Sequence, residues 1–310
     1  MQSGMVVKNT EIHAAIPVAD GLSAKEQKVL SAAEIGTRAW RALLEEVYTT
    51  PKPGLVDRHS NGAHTDMDIP AFEKSAQALW PFFVMMAEQG LSVQTTDEEL
   101  FGHIRKTGVT AEKAMFRATN GVNTHKGLIF TLGIYCAAAG RCQQRYGEVT
   151  ESGIREIQQN MTVRILTEEL EILREKEITS HGEENLKKYG TTGVRGEAIA
   201  GYPAVWDVAL PVLRQGIEEK NDYNLVKLQT LMVLMSQLED SNILARKNPK
   251  TLKWVQETAN DFLKYGGAYA PDAYQELIRL DEEFIRENIS AGGCADILAT
   301  AIFINMLLQK

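Results

Sequence analysis

From Ala24 to Tyr48 the apolar residues Val29, Ala32, Ile35, Ala39, Leu43 and Val47 return every three or four positions. That is the period of a helix with one buried face. The same pattern predicts helices over 70–89, 97–117, 127–141, 151–176, 198–218, 223–239, 249–265, 271–287 and 295–309. Glycine or proline punctuates the gaps at Gly90, Gly121, Gly190 to Gly196, Pro249, Gly266-Gly267, Pro271 and Gly292-Gly293. Beyond the first residues no run alternates in the manner of a strand, and no repeat of fixed period appears. The chain therefore reads as all-α. No Pro/Ser-rich linker divides it, so residues 24–310 form one domain behind a loosely attached arm over 1–23. In the charged segment 151–188, Ile154, Ile157, Met161, Ile165, Leu166, Leu170 and Leu173 supply a buried face and the charges a solvated one.

Composition narrows the function. Lys+Arg 33 against Asp+Glu 41 gives a net charge of −8. A general nucleic-acid binder needs a basic face, so that class is excluded. Cys136, Cys142 and Cys294 are odd in number and lack metal-ligand spacing, which suits a reducing cytoplasm. The first residues carry no apolar core of a signal peptide. The longest apolar runs, 128–140 and 297–308, are too short to span a membrane.

The chemistry sits between the helices. The stretch 49–68 holds Lys52, Asp57, Arg58, His59, His64, Asp66 and Asp68 among prolines and glycines, and such long polar loops are usually functional when ordered. Pro51 and Pro53 stiffen the chain on both sides of Lys52. Asp66 and Asp68 can share one hydrated Mg²⁺, although Asp68 equally suits the N-cap of the next helix. The loop 119–127 brings Asn123, His125 and Lys126 to the start of an apolar helix, an arrangement able to hold phosphate. A third loop, 190–197, joins three glycines to Arg195 and Glu197; that pair is also a simple ion-pair candidate. Glu239-Asp240-Ser241-Asn242 clusters acceptors at a helix end, while Asp296 suits the macrodipole at the start of the last helix. Walker A, Gly-x-Gly-x-x-Gly, His-Glu-x-x-His and Gly-x-Ser-x-Gly motifs are absent. Lys52, Arg58, Lys126 and Arg195, interleaved with carboxylates, point to a polyphosphate held with divalent metal.

Four segments carry a resemblance. Pro51-Lys52-Pro53-Gly54-Leu55-Val56-Asp57, Gly62-Ala63-His64-Thr65-Asp66-Met67, Gly121-Val122-Asn123-Thr124-His125-Lys126-Gly127 and Arg195-Gly196-Glu197-Ala198 are similar to the triphosphoribosyl-dephospho-CoA synthase family. The similarity runs in the same order from about Ala33 to Leu308. Two motifs depart from the family pattern. The usual Gly-Gly-Ser-Ala-Asp reads Gly292-Gly293-Cys294-Ala295-Asp296, and the usual Gly-Asp-Thr-Asn reads Glu239-Asp240-Ser241-Asn242.

The resemblance implies a glycosyl transfer. ATP and 3′-dephospho-CoA give 2′-(5″-triphosphoribosyl)-3′-dephospho-CoA and adenine. The product is then passed to a holo-acyl-carrier-protein synthase and the carrier subunit of citrate lyase or malonate decarboxylase. On that chemistry Asp57 or Glu197 is the expected base, and His64 or His125 the group that protonates adenine. Lys52, Arg58, Asn123, Lys126, Arg195 and Gly196 are expected to bind substrate phosphates, and Asp66, Asp68 and Asp240 to bind Mg²⁺. Two other readings use the same loops. One is a Mg²⁺-dependent all-α hydrolase of nucleotides or ADP-ribose; the other is a non-catalytic helical protein that binds CoA or a carrier.

Overall fold

The computed structural model describes residues 29–175, 188 and 190–309. The expected arm over 1–23, His181 and the charged positions 176–187 lie outside the described residues. Among the described residues there is no strand. The chain runs through α1 (Ala32–Val47), α2 (Ile69–Ser92), α3 (Asp97–Ala118), α4 (Lys126–Tyr146) and α5 (Glu151–Glu175). After the gap come α6 (Gly193–Ala200), a π-helical stretch (Ala204–Ala209) and α7 (Leu210–Glu218), then α8 (Tyr223–Gln237) and α9 (Ser241–Arg246). It ends with α10 (Pro249–Lys264), a 3-10 turn (Gly267–Tyr269), α11 (Ala273–Arg286) and α12 (Gly292–Leu308).

Local chemistry explains most boundaries. Ser31 and Glu34 form a capping box at α1, and Thr96 and Glu99 form another at α3. Asp68, Asp222, Asp240 and Asn248 cap α2, α8, α9 and α10. Three expectations differ from the structure. The helix predicted over 198–218 is split, because Gly201 and Tyr202 both adopt left-handed φ and Pro203 offers no N–H to continue the ladder. Gly193 to Glu197, expected as loop, form the first turns of α6. The six-residue α9 also stands where the sequence predicts a loop; it is too short to show a period.

Two helices are apolar almost all round and run through the core. In α4 every residue from Leu128 to Gln143 except half-buried Phe130 is buried, and α12 is buried from Ile297 to Asn305. Glycine lets α2 press against α4. A Cβ at Gly90 would overlap the Ala137 carbonyl oxygen, and one at Gly140 the Ala87 carbonyl oxygen. Replacing Gly140 by Ala therefore has no soft neighbour to displace. We expect it to lower unfolding free energy by about 1–3 kcal/mol, as overpacked cores do, measured by urea denaturation. Gly102, with open space around it in α3, should by contrast accept Ala with a gain of about 0.5–1 kcal/mol.

Candidate active site

Buried apolar helices must bring their polar residues to their ends, and here the ends meet. A Cβ on Gly127, in the first turn of α4, would overlap Oδ2 of Asp296 in the first turn of α12. Gly293 of α12 lies 2.9 Å by the same measure from Asp240 Oδ2, and Gly292 lies 3.1 Å from Asn242 Nδ2 at the start of α9. Gly193, at the start of α6, is 3.9 Å from Ser241 Oγ. The N-termini of α4, α12, α9 and α6 thus form one continuous cluster. The N-cap residues of α4, α6 and α12 make no side-chain cap; Asn123 takes Lys126 N and Asp240 takes Cys294 N, and the other leading N–H groups and the positive dipole ends remain for an anion. Glycine at these turns lets a ligand approach the backbone.

The 49–68 loop is built against this cluster. Thr50 exchanges two hydrogen bonds with Asn224 of α8, from its N to Oδ1 at 3.0 Å and from Nδ2 to its O at 2.6 Å. Asp57 is buried and takes three backbone N–H groups, those of Lys52 (2.5 Å), His59 (2.6 Å) and Ser60 (3.0 Å). Asp281 of α11 accepts from Gly54 N and Ser60 Oγ, each at 2.8 Å. A Cβ at Gly54 would overlap the Ile289 carbonyl oxygen, and its φ of +70° also demands glycine. Lys52, expected to face phosphate, is instead only 1% exposed. Its Nζ donates to the Glu46 carbonyl at 2.9 Å and to the Glu46 carboxylate.

The two candidate histidines are both largely removed from solvent, His125 more completely than His64. His64 engages both ring nitrogens, Nε2 with Ser290 Oγ at 3.0 Å and Nδ1 with the Arg246 guanidinium at 3.1 Å. Burial and Arg246 push it down to about 4. His125 is buried, with Nδ1 2.6 Å from Ser75 Oγ, and its Nε2 has no partner. Burial and neighbouring Lys52 push it down to about 3. Both imidazoles are neutral at pH 7. A depressed histidine contributes stability that is present above its unfolded value of about 6.5 and lost as pH falls toward the folded value. Denaturation between pH 7 and pH 4 should therefore show falling stability, with a shallower slope in His125→Asn.

The remaining candidates divide. Glu197 is half-buried, and burial pushes its carboxyl up; it accepts one long hydrogen bond, from Ala204 N at 3.4 Å. Arg195 is turned toward α3 and α5, where it lines a surface depression with Arg105 and Glu169. A Cβ at Gly196 would overlap Thr192 Oγ1, so glycine is required there. Lys126 is exposed and paired with Glu112 at 2.7 Å, and Asn123 Oδ1 accepts from Lys126 N at 3.2 Å. Arg58 stacks on the Tyr48 ring, 4.4 Å from its centroid.

Of the aspartates, Asp240 is buried with both oxygens committed, Oδ1 to Asn242 N and Ile243 N and Oδ2 to Cys294 N. Asp68 caps α2 through Ala71 N. Asp66 is exposed, with a 4.0 Å contact to His64. Among the described residues no three His, Cys, Asp or Glu side chains gather as a metal cage.

Several site residues escape a reading of the sequence: Glu46, Ser75, Asn224, Arg246, Asp281, Ser290 and Asp296. Two carry a signal. Glu46 interrupts the buried stripe Ile35, Ala39, Ala42 and Leu43 of α1, and Asp296 is the lone charge in the α12 sequence. A charge on an otherwise apolar face needs a partner or a function. The others are marked only by the residues they meet.

A family model described as ATP:dephospho-CoA triphosphoribosyl transferase (CitG) matches residues 32–310. Three relatives carry the name "Probable 2-(5''-triphosphoribosyl)-3'-dephosphocoenzyme-A synthase". The protein from Citrobacter koseri is 40% identical over 272 residues, 87% of this chain and 89% of its own. That from Vibrio cholerae is 37% identical over 276 residues, 89% and 88% of the two chains. That from Photobacterium profundum is 38% identical over 266 residues, 86% and 84%. No solved structure matches. The cluster of helix ends and the loop packed against it thus lie within the matched span, and the chain belongs to the ATP:dephospho-CoA triphosphoribosyl transferase family.

Proposed function

We propose that this protein transfers the 5-triphosphoribosyl group of ATP to the 2′-hydroxyl of 3′-dephospho-CoA and releases adenine. The observation that carries this reading is the meeting of the α4, α6, α9 and α12 N-termini beside a rigid loop, within a chain of this family. Adenine leaves from C1′, so the triphosphate is kept as a handle and its binding energy orients the sugar. Backbone N–H groups at the α4 and α6 ends, with Lys126 and Arg58 at the exposed rim, are its partners. Lys52, buried against Glu46, acts from below by fixing the loop.

Mg²⁺ belongs to this scheme as part of the ATP substrate, neutralising phosphate charge. It keeps several waters and needs one or two carboxylates. Asp66, whose oxygens take no backbone N–H, is the aspartate best placed to add one. Asp57 serves as the loop's internal anchor. Glu197, with its one long hydrogen bond and raised carboxyl, takes the proton of the acceptor hydroxyl. If the new linkage is α, one displacement from β-configured ATP suffices and no covalent enzyme intermediate forms.

The product serves as precursor of the prosthetic group of a citrate lyase or malonate decarboxylase carrier subunit, reached through a holo-acyl-carrier-protein synthase. The described helices include none long and apolar enough to cross a membrane. With free buried cysteines and ATP as donor, the enzyme fits the cytoplasm. The test is incubation with ATP, Mg²⁺ and dephospho-CoA, followed by chromatography and mass. Adenine formation that depends on dephospho-CoA is the expected result. Adenine or phosphate released at the same rate without the acceptor would instead identify a hydrolase.

A further inference from the structure

We propose that Asp296 is the catalytic acid of the transfer, handing its carboxyl proton to the departing adenine. This rests on the reaction proposed above and goes beyond it by naming the residue that lets the base leave. Three observations converge on the carboxyl. It is half-buried at the point where the α4 and α12 ends meet, separated from the α4 backbone only by the missing Cβ of Gly127. No hydrogen-bond donor among the described residues satisfies it, unlike Asp57, Asp240 and Asp281, whose oxygens all are taken. At the same helix entrance, two residues before Gly127, fully buried His125 leaves Nε2 unpartnered. An uncommitted carboxyl among aspartates whose oxygens are all taken is held for a group that arrives with the substrate.

The surroundings keep the proton on. From α1, Glu46 faces Asp296, its own charge countered by Lys52 of the loop. From the α9 cap, Asp240 adds a second like charge. From α4 comes the backbone at Gly127, and on α12 itself the nearest titratable group is the buried Cys294 thiol. Burial first, then the two carboxylates, push Asp296 well above the usual carboxylate range. Neither histidine competes for the role. His64 has both nitrogens engaged, and buried His125 is neutral at pH 7 and lacks the acidic proton of an imidazolium.

The step balances without another reactant. The C1′–N9 bond breaks with its electron pair going to adenine, and the Asp296 proton goes to a ring nitrogen of that base. The 2′-oxygen of dephospho-CoA bonds to C1′, and its proton passes to Glu197. Exchange with water then restores both carboxyls.

The test compares two donors in one variant. N7-methyl-ATP releases a base that is already cationic in the donor and needs no proton to depart. With ATP, Asp296→Asn should lose kcat by about 10²–10⁴-fold, the size of a general-acid contribution. With N7-methyl-ATP the same protein should lose less than about tenfold, and the alkaline limb of the wild-type pH profile should vanish for that donor. A misfolded variant would fail with both donors alike, and thermal denaturation of the same sample checks this. Equal losses with both donors in a folded variant, or near-wild-type turnover of ATP, would overturn the assignment while leaving the transferase reading intact. A wild-type protein that forms no product from ATP and dephospho-CoA would remove both.

Discussion

Glu197→Gln is expected to lower kcat for adenine release by about 10²–10⁴-fold while leaving the protein folded. The amide keeps the shape of the side chain and can still accept from Ala204 N, so the local hydrogen bond survives. What is lost is the ability to take the proton from the acceptor hydroxyl. Linkage gives the accompanying sign for stability. Burial raises the folded carboxyl above its unfolded value, so ionising it at neutral pH works against folding. That contribution favours the folded state at low pH and is lost as pH rises through the folded value. The neutral amide removes the cost, and the variant should be at least as stable as the wild type at pH 7. Activity and stability thus part company, which a merely structural residue would not allow. In the wild type, turnover should rise with pH as Glu197 gives up its proton. A Glu197→Gln variant within about fivefold of wild-type kcat would leave the base unassigned to this residue.

The second large effect is on stability. Glu46→Ala leaves the Lys52 ammonium buried without its carboxylate, with the Glu46 carbonyl as its remaining acceptor. Removing one partner of a buried pair costs about 3–5 kcal/mol, against a total of about 5–15 kcal/mol for a typical domain. The urea midpoint should fall accordingly. The pair itself need not be net stabilising, since burying two charges costs nearly what their attraction returns. Replacing Glu46 and Lys52 together by Met should therefore recover most of the loss. A single Glu46→Ala variant within about 1 kcal/mol of wild type would mean that water or another group reaches Lys52. The double variant should remain inactive, because the loop carrying Asp57 is positioned through this pair.

The helical frame is legible because it follows from local rules. Apolar period, N-cap chemistry and Gly/Pro punctuation place the ends of α2, α3, α5, α8, α10 and α11 within about three residues of expectation. The break at Gly201-Tyr202-Pro203 escapes notice because apolar residues continue across it, and a left-handed pair followed by proline leaves the period unchanged. The site is legible by loop and less so by residue. Asp57, Asp68 and Asp240 share the residue type expected of a base or metal ligand, yet backbone N–H groups take their oxygens. Asp296 reads in the sequence as a favourable charge at a helix start, whereas burial and the facing Glu46 and Asp240 disfavour its charge in the fold. That Gly127, 169 positions away, comes to lie against its carboxyl is a fact of tertiary packing, with no local trace in either segment.

Transfer of the intact triphosphoribosyl group to dephospho-CoA separates the transferase from every hydrolytic alternative. ATP labelled at the γ-phosphate, incubated with Mg²⁺ and dephospho-CoA, should pass its label to the CoA derivative, with one adenine released for each label transferred. Label recovered as inorganic phosphate, or left in ribose triphosphate while dephospho-CoA is unchanged, would contradict it.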